Sequence, residues 1–166
     1  MKAAINTSPL IFLAKLGMLD CLHIYEKVYT TSTVIEEVDK GLHQGFEESI
    51  MIQKLVEEGS LVVKESKSST VNGLSAFGLH KGELSMLRMA GELKSDVIIM
   101  DDRVGIKAAK YLGFDVVSTP FLLLKNLEFG KISKEDFPEA IDKLLGFGYF
   151  LSPGLYVKIL KIAEDL

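Results

Sequence analysis

Apolar positions in this chain fall into short dense runs that alternate with longer, periodic stretches. The runs at 2–6, 27–31, 60–65, 96–102 and 114–118 read as strands, and "DVIIMDD" at 96–102 is the clearest of them. Between the runs, apolar residues return every three or four positions, as on an amphipathic helix. Pro9 to Leu16 predicts a helix stopped by Gly17, with Thr7 or Ser8 as its cap and a short continuation over Met18 to Tyr25. A capping-box pattern at Thr33-Val34-Ile35-Glu36 opens a helix to about Lys40 that ends at Gly41, and Phe46 to Glu58 forms another, closed by Gly59. Gly82 to Leu93 and Val104 to Leu112 are helical, with further helices near 120–128, 134–145 and 152–165. The Ser- and Gly-rich stretch 66–80 reads as a loop, a surface excursion rather than a lid.

Strands thus alternate with helices about five times before only helices remain. Parallel strands need crossover connections, and helices supply them, so the pattern predicts an α/β chain. The expected architecture is a three-layer α/β/α sandwich around a parallel, doubly wound sheet, with a helical C-terminal extension, in one domain over residues 1–166. In such sheets a ligand site lies beyond the carboxyl ends of the central strands. Asn6 ends the first run and Asp101-Asp102 end the fourth.

Composition narrows the classes. Apolar residues make up 48% of the chain, enough for a sizeable core, yet no run reaches the roughly 18 residues of a membrane span. The single cysteine, Cys21, forms no internal disulfide, and no Cys/His cluster has zinc spacing. With no basic-then-apolar leader at the N-terminus, the expectation is a cytoplasmic protein with no membrane association. A net charge of −4 argues against a broad basic surface for nucleic acid, but leaves room for phosphate bound through a metal.

Most acidic residues suit solvated helix faces or first turns, where negative charge complements the helix dipole. Glu37, Glu83 and the pair Asp101-Asp102 do not. Glu37 lies among Val34 and Val38, Glu83 has apolar residues directly after it, and two adjacent carboxylates at a buried strand end repel unless something compensates them. The bland alternative is that one aspartate caps the next helix while the other is solvated. Taken together, these segments feed one sheet edge and suggest a Mg²⁺ or Mn²⁺ site, since hard cations take oxygen ligands. Asp101 is expected to be the inner aspartate, because it directly continues the strand.

Five motifs in order carry a resemblance: "NTSPLIFLAKLGMLDCL", "TVIEEV", "HKGELSMLRMAGEL", "IIMDDRVGIKAAKYLGFDVVST" and "GFGYFLSPGLYVKILKIAEDL". They resemble the PIN domain, the fold of many small prokaryotic ribonucleases that include the VapC-like toxins, and closest to a branch with a DTSPLI-type N-terminus. The resemblance implies Mg²⁺- or Mn²⁺-dependent endoribonuclease activity on an RNA substrate. Position 6, Glu37, Glu83 and Asp101 or Asp102 would surround the metal, with Thr7 or Ser8 beside the first of them toward substrate. As partners it implies a small antitoxin protein and a second copy of the chain.

One position departs from the pattern. Where the family has aspartate, this chain has Asn6, whose amide oxygen still ligates a cation but brings no charge and takes no proton. Besides a ribonuclease weakened at this position, two readings compete. One is an impaired PIN-like module that binds RNA or protein. The other is a phosphatase, for which Asn6 is a poor nucleophile.

Overall fold

The computed structural model describes residues 1–41, 46–67 and 74–166. Strand β1 (Lys2–Ile5) leads into helix α1 (Thr7–Leu16), and a 3₁₀ stretch at Leu19–Ile24 carries the chain to β2 (Lys27–Thr30). Helices α2 (Ser32–Gly41) and α3 (Phe46–Glu57) precede β3 (Leu61–Val63), and α4 (Lys81–Leu93) precedes β4 (Val97–Ile99). The remaining elements are α5 (Arg103–Tyr111), β5 (Asp115–Val117), α6 (Thr119–Glu128), α7 (Asp136–Gly146) and α8 (Pro153–Asp165). Of the 66–80 stretch read as a loop, residues 68–73 lie outside the described residues; Leu74–Phe77 form a short 3₁₀ turn.

All five strands are parallel, in the order β3-β2-β1-β4-β5, with helices on both sides of the sheet. The chain winds outward from β1 to β3, then returns to the other side of β1 to lay down β4. The point of return lies between β1 and β4, where Ile5 pairs with Ile99. Strand order reverses there, which opens a crevice at the carboxyl ends of both strands.

Apart from the exposed Lys2, the central strands are buried: Ala3 to Ile5 and Val97 to Met100 are almost fully enclosed. That explains why their sequences are unbroken apolar runs rather than alternations. Leu10 and Leu13 of α1, Met86 and Leu87 of α4, and Leu122 and Leu123 of α6 complete the core. The apolar stripes of α6 and α8 serve this core, with Leu127, Ile159 and Ala163 buried. A fully buried aliphatic side chain the size of Leu122 or Ile159 contributes about 1.5–3 kcal/mol. Cys21 is buried too, and burial pushes its thiol up to about 12. No helix among the described residues is long and apolar enough to cross a membrane.

Two caps differ from the sequence expectation. Asn6, not Thr7 or Ser8, is the N-cap of α1, so Thr7 opens the helix and Pro9 lies in its first turn. Helix α2 begins at Ser32, with Thr31 ahead of it: its carbonyl accepts from Ile35 at 3.1 Å and its hydroxyl from Val34 at 3.4 Å. Thr31 is fully buried and also bonds Ser85 of α4 at 2.8 Å, a tertiary contact that outweighs the local signal at Thr33.

Candidate active site

Three helices start at the carboxyl edge of the sheet, and their first turns converge on one pocket of about 480 Å³. Asn6, Thr7 and Ser8 enter it from the start of α1, His80, Lys81 and Glu83 from the start of α4, and Asp102 from the N-cap of α5; Glu37 reaches in from α2. Helix N-termini carry unpaired N–H groups and partial positive charge, so their convergence favours anions, whether carboxylates of the chain or a phosphate.

Glu37 is held from two sides. Its Oε2 accepts the Thr7 hydroxyl at 2.7 Å and its Oε1 accepts the Gly82 backbone N–H at 3.0 Å. The second bond depends on glycine: a Cβ on Gly82 would overlap the Glu37 carboxylate. Sequence reasoning passed over Gly82, because its signal is a missing Cβ facing a residue 45 positions away.

Glu83 is buried and sits in the first turn of α4, where its Oε2 accepts the His80 N–H at 2.9 Å. Burial holds its carboxyl above the ordinary value of 4.5; Asp102 and Glu37 push the same way, against the His80 bond. Asp102 caps α5, its Oδ1 accepting from Val104 at 2.8 Å and Gly105 at 2.9 Å. The bland role foreseen for one aspartate is therefore real, yet the same residue lines the pocket.

Asp101, expected to be the inner ligand, faces elsewhere. Its carboxylate accepts the Thr119 N–H at 2.8 Å, the Thr119 hydroxyl at 2.6 Å and the Tyr149 hydroxyl at 2.9 Å. It ties the end of β4 to the start of α6 and to the segment before α8. The reason is where the strand stops. Strand pairing ends at Ile99, Met100 makes one last bond to Val117 at 3.1 Å, and the chain then turns, so Asp102 rather than Asp101 reaches the crevice. Burial raises the Asp101 pKa, and the bonds from Thr119 and Tyr149 oppose that rise.

Asn6, Glu37, Glu83 and Asp102 supply only oxygen donors on their acidic and carbonyl atoms, the chemistry a hard divalent cation takes. The Oδ1 of Asn6 is buried with no hydrogen-bond partner among the described residues. An acceptor stranded in this way costs about 1–3 kcal/mol until a donor or cation meets it. Glu83 Oε1 and Asp102 Oδ2 receive no hydrogen bond among the described residues either. Among the described residues, no group of three or more His, Cys, Asp or Glu side chains is placed to hold a metal ion by itself. A cation here would rest on one or two carboxylates and the Asn6 oxygen, completed by water and phosphate, as is usual for Mg²⁺.

A family model described as a PIN domain, DUF3368, matches residues 2–165. Among solved structures, a PilT N-terminus domain protein from the hyperthermophilic archaeon Sulfolobus solfataricus P2 is similar at 22% identity. The match covers 77% of this chain and 95% of that one, with a TM-score of 0.54, a likeness of fold. Among curated proteins, none matches.

Proposed function

The chain belongs to the PIN-domain family, whose members are in general metal-dependent nucleases, and on that premise we propose that it is an endoribonuclease of the toxin type. The observation that carries this reading is the meeting of Asn6, Glu37, Glu83 and Asp102 in one pocket at the return point of the sheet. Asn6, Glu83 and Asp102 would hold Mg²⁺ or Mn²⁺, which when bound polarises a phosphate oxygen and lowers the pKa of a water.

The chain's own groups divide the remaining work. Lys81, exposed at the lip, and the N-terminus of α1 attract and orient the phosphate. Ser8, half-buried on the first turn of α1, offers it a hydroxyl. Glu37, fixed by Thr7 and Gly82, is a rigid acceptor that orients an attacking water. Glu83, whose Oε2 is held by the His80 N–H, would offer its other oxygen, Oε1, to the cation. A small antitoxin protein and a second copy of the chain belong to the same reading as partners.

A second reading, a module that binds RNA without cutting it, rests on Asn6, which leaves the site one charge short. Labelled RNA incubated with Mn²⁺ or with EDTA separates the two. The nuclease reading expects cleavage only with Mn²⁺, and none by Glu83→Gln. Binding without cleavage at any Mn²⁺ concentration would favour the module.

A further inference from the structure

Just before α8 stands an aromatic side chain that folding does not account for. Phe150 is 73% exposed, although an exposed phenylalanine forgoes the stabilisation of burial. Its neighbours in sequence are anchored. The Tyr149 hydroxyl donates to Asp101 at 2.9 Å, its ring meets Phe12 edge-on at 5.2 Å, and Leu151 is half-buried. The segment is thus pinned to the end of β4 by one aromatic residue while the next is presented to solvent. Across from it, the guanidinium carbon of Arg103 lies 6.0 Å from the Phe150 ring centroid. Arg103 opens α5 directly after Asp102, so one member of this pair follows a pocket-lining residue in the chain.

We propose that Phe150 and Arg103 form a stacking platform that positions one unpaired nucleobase of the substrate strand. This rests on the nuclease reading for the identity of the polymer. An aromatic face beside a cation suits any base, because every base offers a π-face, and Arg can both stack and meet the adjoining phosphate. In a duplex the bases are stacked on one another and unavailable to the ring. The platform also supplies local positive charge that a chain of net charge −4 otherwise lacks as a broad surface. Phe150 and Arg103 are positioning residues here: they fix which strand enters and where its phosphate rests.

The chain contains no tryptophan, so Phe150→Trp places a single indole reporter on the platform. Its emission is followed in EDTA, where no cleavage intervenes, as a short single-stranded RNA or the same sequence as duplex is added. Labelled-RNA anisotropy is measured in parallel for the wild type, Phe150→Ala and Arg103→Ala. Quenching by single strand but not duplex is expected. Phe150→Ala should bind single strand about tenfold more weakly with unchanged melting temperature, and Phe150→Trp should retain wild-type binding. Wild-type RNA binding that Phe150→Ala leaves unaltered, with no quenching, overturns the platform. Quenching without any Mn²⁺-dependent cleavage instead supports the platform and counts against the nuclease reading alone.

Discussion

The Thr7 hydroxyl donates to Glu37 Oε2 at 2.7 Å, across 30 residues of chain. Thr7 is the first residue of α1 and Glu37 lies in the middle of α2, so this bond joins the helices that follow β1 and β2 at the mouth of the crevice. Gly82 holds the other oxygen of the same carboxylate from α4. One glutamate therefore registers three helices against one another, and the pocket's shape depends on it.

Gly82→Ala should expose that dependence. A Cβ at Gly82 has to push the Glu37 carboxylate aside, since the two overlap. Displacements of about 1 Å near a reacting centre cost on the order of 100-fold in rate. The expected result is a loss of RNA cleavage of that order with circular dichroism unchanged. Full activity in this variant would mean that Glu37 has no part in positioning.

The two adjacent aspartates should fail in opposite ways. Asp102→Asn keeps the cap on α5, because Asn and Asp cap equally well, but removes a charge from the pocket. Metal affinity should fall while denaturant stability holds. Asp101→Ala strands Thr119 and Tyr149, and hydrogen bonds to a charged group are worth about 1.5–3 kcal/mol each. Urea melts should show a loss of that size or more, with Tyr149→Phe losing less.

The order of elements was legible in the sequence because central parallel strands carry unbroken apolar runs and helices carry a different period. Glu37, Glu83 and Asn6 were legible for a related reason, as polar groups set where the pattern called for apolar ones or for a turn. Choosing between Asp101 and Asp102 was not. It turns on strand pairing ending at Ile99, two residues before the apolar run meets its acids, and on a bond from Thr119, 18 residues on. Gly82 and the true cap Thr31 were hidden similarly, since each is fixed by a contact from another helix.

Rising pH and added metal should act on stability in opposite directions. The folded-state pKa values of Glu83 and Asp101 are raised above 4.5 and 3.8, so the folded protein binds more protons than the unfolded chain in that window. Stability without metal should therefore be greatest at or below the ordinary carboxylate values and fall as pH rises through them toward neutral. Mn²⁺ held by the proposed site would bind only the folded state and should raise the melting temperature near neutral pH. Thermal scans in EDTA and in Mn²⁺ check both signs. A melting temperature that Mn²⁺ leaves unmoved at neutral pH would contradict a working cation site.

Asn6→Asp should strengthen the site. The change is nearly isosteric and keeps a good cap on α1. It adds a charge next to Glu83 and Asp102, so without metal it should destabilise the fold slightly, and with metal the sign should reverse. Metal affinity and cleavage should rise about ten- to a hundredfold, taking the effect of indirect metal contacts as a floor. Titration calorimetry with Mn²⁺ gives the affinity directly, and Glu83→Gln in the same background should erase the gain.

Asn6, Glu83 and Asp102 bound the proposed cation site at the return point of the sheet. Anomalous diffraction from crystals soaked in Mn²⁺ locates the ion without reference to activity. One peak is expected in the pocket, in contact with Glu83, Asp102 and the Oδ1 of Asn6. A peak beside Asp101 and Thr119 instead, or a pocket without manganese at saturating concentration, would contradict it.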